Sequence, residues 1–366
     1  MSRQTTLMVM AGGTGGHVYP AMAVADALHA QGWKIVWLAT EGGMENRLIA
    51  DKPYDKAMMA MQGVRGKGLL GWLTLPVKLA RAFTQARAAI RQYQPDVVLG
   101  MGGFAAFPGG VMAKLAGVPL VIHEQNSIAG LTNKVLARIA NRVLTGFPNA
   151  LGTKGEMVGN PVREVITTLP VPEVRFAGHH GALRILVVGG SLGAVALNTL
   201  LPQAFAQLPA NERPQIIHQA GEKQIEALKK NYAEAGVAAD CRAFIYEMDE
   251  VYDWADLVIC RAGALTVAEL ANVGAASILV PFPFAVDDHQ TTNAAYLQQA
   301  GAALLIQQQA LEVSQLVRTL KTLDRPTCLA MAQKARALAR PQATQQVADI
   351  CRQLAAGNKK GTPGSA

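Results

Sequence analysis

Cysteine is scarce in this chain: Cys241, Cys260, Cys328 and Cys351 are the only four, each at least 19 positions from the next. That spacing excludes a disulfide framework and a zinc knuckle, and it fits a reducing compartment. Aromatic residues make up 5% and charged residues 16%, yet half the residues are apolar, which excludes a disordered or collagen-like chain. Uninterrupted apolar runs are missing as well. The uncharged stretches Val97 to Val111 and Leu270 to Val286 are broken by glycine, proline or asparagine, whereas a helix in lipid needs about 20 consecutive apolar residues. No spanning segment is expected. The start, MSRQTTLMVM, lacks the charged, apolar and small-residue regions of an export signal, so none is expected to act there.

Acidic residues are unevenly distributed. Up to Arg163 there are 17 Lys and Arg against 8 Asp and Glu; beyond it, 17 against 18, within a net charge of +8. The amino-terminal half is therefore the one expected to meet an anionic surface. From Ala57 to Pro95 no acidic residue occurs, while Arg65, Lys67, Lys78, Arg81, Arg87 and Arg91 alternate with Leu69, Leu70, Trp72, Leu73, Leu75, Val77, Leu79 and Phe83. Cations flanking an apolar, Trp-containing stripe suit an anionic bilayer headgroup region; the alternative is an amphipathic helix with its leucines in the core. Nucleic acid is not expected as a partner, because it favours polar and aromatic groups on a basic face over a run of leucines.

At 366 residues the chain is long enough for two domains. Leu7 to Met10 is an apolar run ending in AGGTGGH, followed by helical periodicity to Leu28. The same opening recurs at Arg184 to Ala194, with Gly189 lying 177 positions after Gly12. Apolar runs alternate with helical stretches after each. That alternation predicts an α/β chain with two Rossmann-like halves, each a parallel sheet with crossover helices. We set the domains at 1–163 and 164–340, the junction falling in the Gly/Pro-interrupted stretch from Gly159 to about Gly181, and expect the turn-rich residues 357–366 to form a disordered tail.

Glycine loops between a strand and a helix let backbone amides approach a phosphate, aided by the helix dipole. Gly12-Gly13-Thr14-Gly15-Gly16 and Gly189-Gly190-Ser191-Leu192-Gly193 suit that use, or are simply tight turns. The first is not G-x-G-x-x-G and lacks a Walker lysine, so a dinucleotide oxidoreductase and a P-loop ATPase fit poorly. His17, at the mouth of the first helix, is either a general base or a histidine that merely starts the helix. A third strand-to-helix turn, CRAGALTVAE, leaves a helix N-terminus open beside Gly263, and Glu269 in that helix either takes a ribose diol or caps. The block PFPFAVDDHQTTN is rich enough in polar groups for a sugar. Asp287-Asp288-His289 has no second cluster of ligand spacing elsewhere in the sequence, so no metal and no cofactor is expected.

Taken in order, the segments AGGTGGHVYPAMAVA, GVRGKG, PDVVLGMGGF, HEQNSIAGLTNK, VGNPVR, VVGGSLGA, CRAGALTVAEL and PFPFAVDDHQTTNA resemble the MurG family over nearly the whole chain, from Ala11 to about Ala356. These are UDP-N-acetylglucosamine transferases that convert lipid I to lipid II in peptidoglycan synthesis. The resemblance implies a GT-B fold, two Rossmann-like domains facing a cleft, and a carboxy-terminal helix at about 341–356 returning to the first domain. It implies an inverting, metal-independent hexosyltransferase at the cytoplasmic face of the bacterial inner membrane, held peripherally. Its partners would be UDP-N-acetylglucosamine, lipid I, the anionic membrane surface and other cell-wall or division proteins.

Carried over by position, Ile245 would meet uracil by its backbone and Glu269 the ribose. Ser191 and the turn Ala264, Leu265, Thr266 and Val267 would hold the pyrophosphate, with Ala268 next to them in the UDP-N-acetylglucosamine site. Asn126, His289 and Gln290 would lie near the donor sugar, with Arg163 on the interdomain side. Thr14, Gly15 and Gly16 would help close the cleft or meet the acceptor pyrophosphate, beside His17, the expected base. Leu192, Ala262 and Tyr246-Glu247 depart from residues common in the family. The rival readings are another GT-B enzyme such as a UDP-sugar epimerase, or a non-catalytic UDP-sugar-binding scaffold at the membrane.

Overall fold

The central strands follow from runs that are apolar on both faces, as strands covered by helices on each side must be. In β1 (Thr6–Ala11) every residue is buried. Leu7, Val9 and Ala11 enter a core with Val18, Val24 and Trp37, while Met8 and Met10 enter a second one with Leu38, Ala106 and Leu136. The period of two splits one strand between two helix layers. The computed structural model describes residues 3–60, 75–190 and 192–360.

The chain divides into two units, Met1–Arg163 with Pro341–Ala366, and Glu164–Arg340. In the first unit β1, β2 (Lys34–Thr40), β3 (Asp55–Met59), β4 (Val97–Gly102), β5 (Leu120–Glu124), β6 (Arg142–Thr145) and β7 (Glu156–Met157) form one parallel sheet, in the order β3-β2-β1-β4-β5-β6-β7. In the second, β8 (Arg184–Val188), β9 (Gln215–Gln219), β10 (Asp240–Arg242), β11 (Leu257–Cys260), β12 (Ala276–Leu279) and β13 (Ala303–Leu305) form another, in the order β10-β9-β8-β11-β12-β13. Strand order reverses at β1/β4 and at β8/β11, the crevice where α/β sheets take ligands.

The helix Ala343–Lys360 packs on the first helix, Gly15–His29, through Val347, Ala348 and Cys351. It also runs further than expected. Residues 357–360, read as the start of a disordered tail, continue the helix, and the Asn358 side-chain amide donates to the Asp96 carbonyl at 3.4 Å. A neighbouring strand end thus supplies the partner that the local sequence does not advertise. Residues 361–366 lie outside the described residues.

The two units repeat one device that anchors the N-terminal ends of two adjacent interior strands in each sheet. Asp96, just before β4, accepts from the Thr6 amide at 2.7 Å and from Arg3 at 2.9 Å. Asp256, just before β11, accepts from the Arg184 amide at 2.9 Å, Arg325 at 2.9 Å and the His179 ring at 2.7 Å. Burial alone would raise the Asp256 pKa; hydrogen bonds from Arg325, His179 and the Arg184 amide outweigh it and hold the carboxyl below its ordinary value. A carboxylate depressed in the folded state contributes stability that is present above its unfolded pKa, about 4, and is lost as pH falls through the folded value. Asp256→Asn is therefore expected to lower stability at pH 7 by about 1–3 kcal/mol and to flatten its decline below pH 4. Chemical denaturation across pH 2–7 checks this, and equal slopes for the two proteins would refute it.

Candidate active site

In the first unit the loop after β1 and the loop after β4 touch. A Cβ on Gly103, whose φ is +90°, would stand 2.6 Å from the Gly12 carbonyl oxygen, so only glycine permits the approach. Thr14 has extended backbone at the cap of the Gly15–His29 helix, whose first turn carries no acidic residue. With half-buried Gly15 and Gly16 it forms a helix N-terminus open to an anion. His17 sits one turn in. Its Nδ1 is 3.0 Å from the Gly12 carbonyl and 3.4 Å from the Thr14 hydroxyl. A carbonyl only accepts, so Nδ1 carries the proton and Nε2 is the lone-pair nitrogen. A Cβ on Gly102 would lie 3.0 Å from that Nε2, which places it against the end of β4.

Asn126 follows β5 and is held by a residue the sequence reading passed over. Glu124 is buried and accepts from the Asn126 amide at 2.9 Å, the Gly130 amide at 3.1 Å and the Asn133 side chain at 2.9 Å. Arg163 is half-buried at the end of the first unit.

In the second unit the ends of β8, β10, β11 and β12 supply the candidate donor residues. Ser191 lies outside the described residues, while Gly190 and Gly193 of its loop both have positive φ. After β11, Gly263 caps the helix Ala264–Val273 with extended backbone, again with no acidic residue in the first turn. Ala264 and Val267 are buried, and Leu265, Thr266 and Ala268 are half-buried. Glu269 is 9% exposed, and its Oε2 accepts from the Tyr252 hydroxyl at 3.1 Å. Buried Arg175 braces this pair, donating to the carbonyls of Tyr252 at 2.8 Å and Gly274 at 2.5 Å, beyond the helix end. Burial pulls its pKa down to about 10. Cys260, at the end of β11, is fully buried, and burial, then the Glu269 charge, push its pKa up. It is an unreactive thiol.

Gln290 Oε1 accepts from the amides of Phe282 at 2.9 Å and Ala262 at 3.3 Å, so this side chain ties the loops after β11 and β12 together. Arg261 joins the same loops through the carbonyls of Val280 and Pro281, at 3.1 and 3.2 Å. His289 is half-buried at the start of the helix His289–Gln299, after Asp287 and Asp288, both at positive φ. Ile245 is buried beyond β10. Leu192 and Tyr246, two positions that depart from the family pattern, are exposed. Among the described residues no three His, Cys, Asp or Glu side chains converge as metal ligands do.

The expected membrane stripe is only partly described. Lys67, Leu69, Leu70, Trp72 and Leu73 lie outside the described residues, and Leu75 begins the helix Leu75–Tyr93. Along that helix Lys78 and Arg81 are exposed, Leu79 is half-buried, and Phe83 is half-buried with its ring edge-on to Phe107. Its core face is made by Ala82, Ala86, Ala89 and Ile90.

Two parallel-sheet nucleotide folds of this kind, with glycine turns at their strand-order reversals, are the GT-B fold. Residues 7–145 match the glycosyltransferase family 28 N-terminal domain and residues 184–354 its C-terminal domain. A curated relative from Azoarcus sp. (strain BH72) is 57% identical over 97% of this chain and 99% of its own length. It is a UDP-N-acetylglucosamine--N-acetylmuramyl-(pentapeptide) pyrophosphoryl-undecaprenol N-acetylglucosamine transferase. The crystal structure of Acinetobacter baumannii MurG superposes with a TM-score of 0.85 at 43% identity, covering 95% of this chain and 99% of that one. The chain belongs to the MurG family of glycosyltransferase family 28. A UDP-GlcNAc 2-epimerase from Neisseria meningitidis is similar at a TM-score of 0.66 and 11% identity, covering 96% of this chain and all of that one; that likeness is one of fold alone.

Proposed function

We propose that this protein transfers N-acetylglucosamine from UDP-N-acetylglucosamine to the muramyl 4-hydroxyl of undecaprenyl-pyrophosphoryl-MurNAc-pentapeptide, lipid I, giving lipid II for peptidoglycan. The observation that carries this reading is its 57% identity to a transferase of that name across 97% of the chain. In the reaction the 4-hydroxyl gives its proton to His17 Nε2 as its oxygen attacks the anomeric carbon. The bond from that carbon to the diphosphate breaks, its electron pair leaves with UDP, and attack from the opposite face inverts the centre. The fixed Nδ1 tautomer supports His17 as the base. The uncapped N-terminus at Gly263 and the Ser191 loop meet the diphosphate charge, which in this reading needs no metal. Glu269 takes the ribose, the Ile245 backbone the uracil, and Asn126, His289 and Gln290 the sugar, with Arg163 adding positive charge.

Radiolabelled UDP-N-acetylglucosamine with a lipid I analogue tests the reading. Label in the lipid fraction is expected. An epimerase would alter the sugar nucleotide without lipid, and a scaffold would bind it without turnover; either result rejects the transferase.

The acceptor's lipid supports a peripheral position on the cytoplasmic leaflet, which is anionic. Among the described residues no helix is long and apolar enough to cross a membrane. Val77 is 73% exposed, and Leu115, 74% exposed, lines a groove of about 280 Å³ with Arg87, Ile90, Arg91, Met112 and Ala116. Each Lys or Arg near an anionic surface contributes about 1 kcal/mol. The protein should sediment with phosphatidylglycerol-containing vesicles, less so with phosphatidylcholine alone, and be released by salt. Binding indifferent to lipid charge and salt would count against this placement.

A further inference from the structure

Glu45 is a buried ionisable group that this mechanism leaves unused. It opens the short helix Glu45–Leu48, yet its side chain is 0% exposed. Burying a carboxylate is strongly unfavourable unless donors surround it. Here Oε1 accepts from the Thr40 amide and hydroxyl, at 2.9 and 2.7 Å, where β2 ends, and Oε2 accepts from the Gly13 amide at 3.4 Å. The carboxylate also lies flat against two glycine turns. A Cβ on Gly12 would stand 2.9 Å from it, and one on Gly43 2.2 Å. The loops after β1 and β2 therefore close on one buried anion, and the first of them carries the carbonyl that holds His17 Nδ1.

We propose that Glu45 is the positioning residue of His17: its buried carboxylate anchors the Gly12-Gly13 turn, so that the Gly12 carbonyl fixes Nδ1–H and the imidazole presents Nε2 to the acceptor hydroxyl. This rests on the reading of His17 as the base. Glu45 acts through backbone. Its negative charge, behind the turn that holds Nδ1, also favours the imidazolium formed when Nε2 takes the proton.

The test uses steady-state transfer by the full chain, with UDP affinity measured by calorimetry. Glu45→Gln keeps the shape and the acceptor for Thr40 but turns an N–H toward the Gly13 N–H. It should lower kcat roughly 10- to 100-fold, as a small misplacement of a reacting group does, with KM for UDP-N-acetylglucosamine and UDP affinity unchanged. Thr40→Val removes one donor to the carboxylate and should lower kcat less, in the same direction; it decides the matter should the glutamine variant fail to fold. In a His17→Ala background neither change should lower kcat further. Wild-type kcat in Thr40→Val and Glu45→Gln, or equal losses with and without His17, would overturn the proposal. Wild-type turnover in His17→Ala alone would instead overturn the reading of His17, a result visible in the single variant.

Discussion

Replacing His17 with alanine should depress kcat by about 10²–10⁴-fold, the usual contribution of a general base, while UDP affinity stays at its wild-type value. The expectation follows from the ring's geometry. Because the Gly12 carbonyl engages Nδ1, the proton is fixed on that nitrogen and the lone pair on the other, which a base requires and a helix-starting histidine does not. UDP affinity should be spared because the residues assigned to the uracil, ribose and pyrophosphate belong to the second unit, Glu164–Arg340. His17→Gln separates proton abstraction from hydrogen bonding: it can accept and donate but cannot take a proton at neutral pH, so it should be as impaired as the alanine variant. Transfer kinetics with a lipid I analogue, beside UDP calorimetry, provide the check. Glutamine activity near wild type would make His17 a hydrogen-bonding residue and leave the base unassigned.

Much of the scaffold was legible because its signals are local. Continuous apolar runs such as Leu7 to Met10 can be satisfied only between two helix layers, and glycines directly after them mark the strand ends where backbone must approach a ligand. Residues acting across long sequence distances were not legible. Glu45 sits in a polar, glycine-rich stretch that reads as solvated surface, and only the folded turns bring Thr40 and Gly13 to it. Tyr252 and Arg175 look like an ordinary helix aromatic and a surface cation. Their use, a hydroxyl on Glu269 and a guanidinium on two carbonyls, depends on helices 17 to 99 residues away in sequence. Along Leu75–Tyr93 the core face is made by Ala82, Ala86, Ala89 and Ile90, because close packing on a neighbouring helix favours small residues, a choice that the alternation of cations and leucines does not reveal.

The second glycine loop carries the other large effect. Gly193 has φ of +76°, and a Cβ there would lie 1.8 Å from the Ala220 carbonyl oxygen, an overlap that no rotamer change relieves because the Cβ is fixed by its own backbone and its partner is backbone. Nor can the Ala220 segment retreat freely. Its carbonyl accepts from the Asn198 side-chain amide at 3.1 Å, which leaves Asn198 Oδ1 to accept from His218 Nε2–H at 3.0 Å, and His218 Nδ1 to accept from the Tyr232 hydroxyl at 2.9 Å. Burial lowers the His218 pKa to about 3, so the ring stays neutral at any working pH and the chain of bonds persists. Gly193→Ala should therefore cost about 1–3 kcal/mol in backbone strain and a similar amount, about 1–3 kcal/mol, in overpacking, with UDP binding lost as the loop is displaced. Gly190→Ala is the control: its φ is +84°, but nothing lies within 4 Å of the added Cβ, so only the strain should appear. Thermal unfolding with UDP calorimetry distinguishes the two. Equal destabilisation would mean that the loop moves away from Ala220 at little cost, and that its contact with the neighbouring strand end does not shape the donor site.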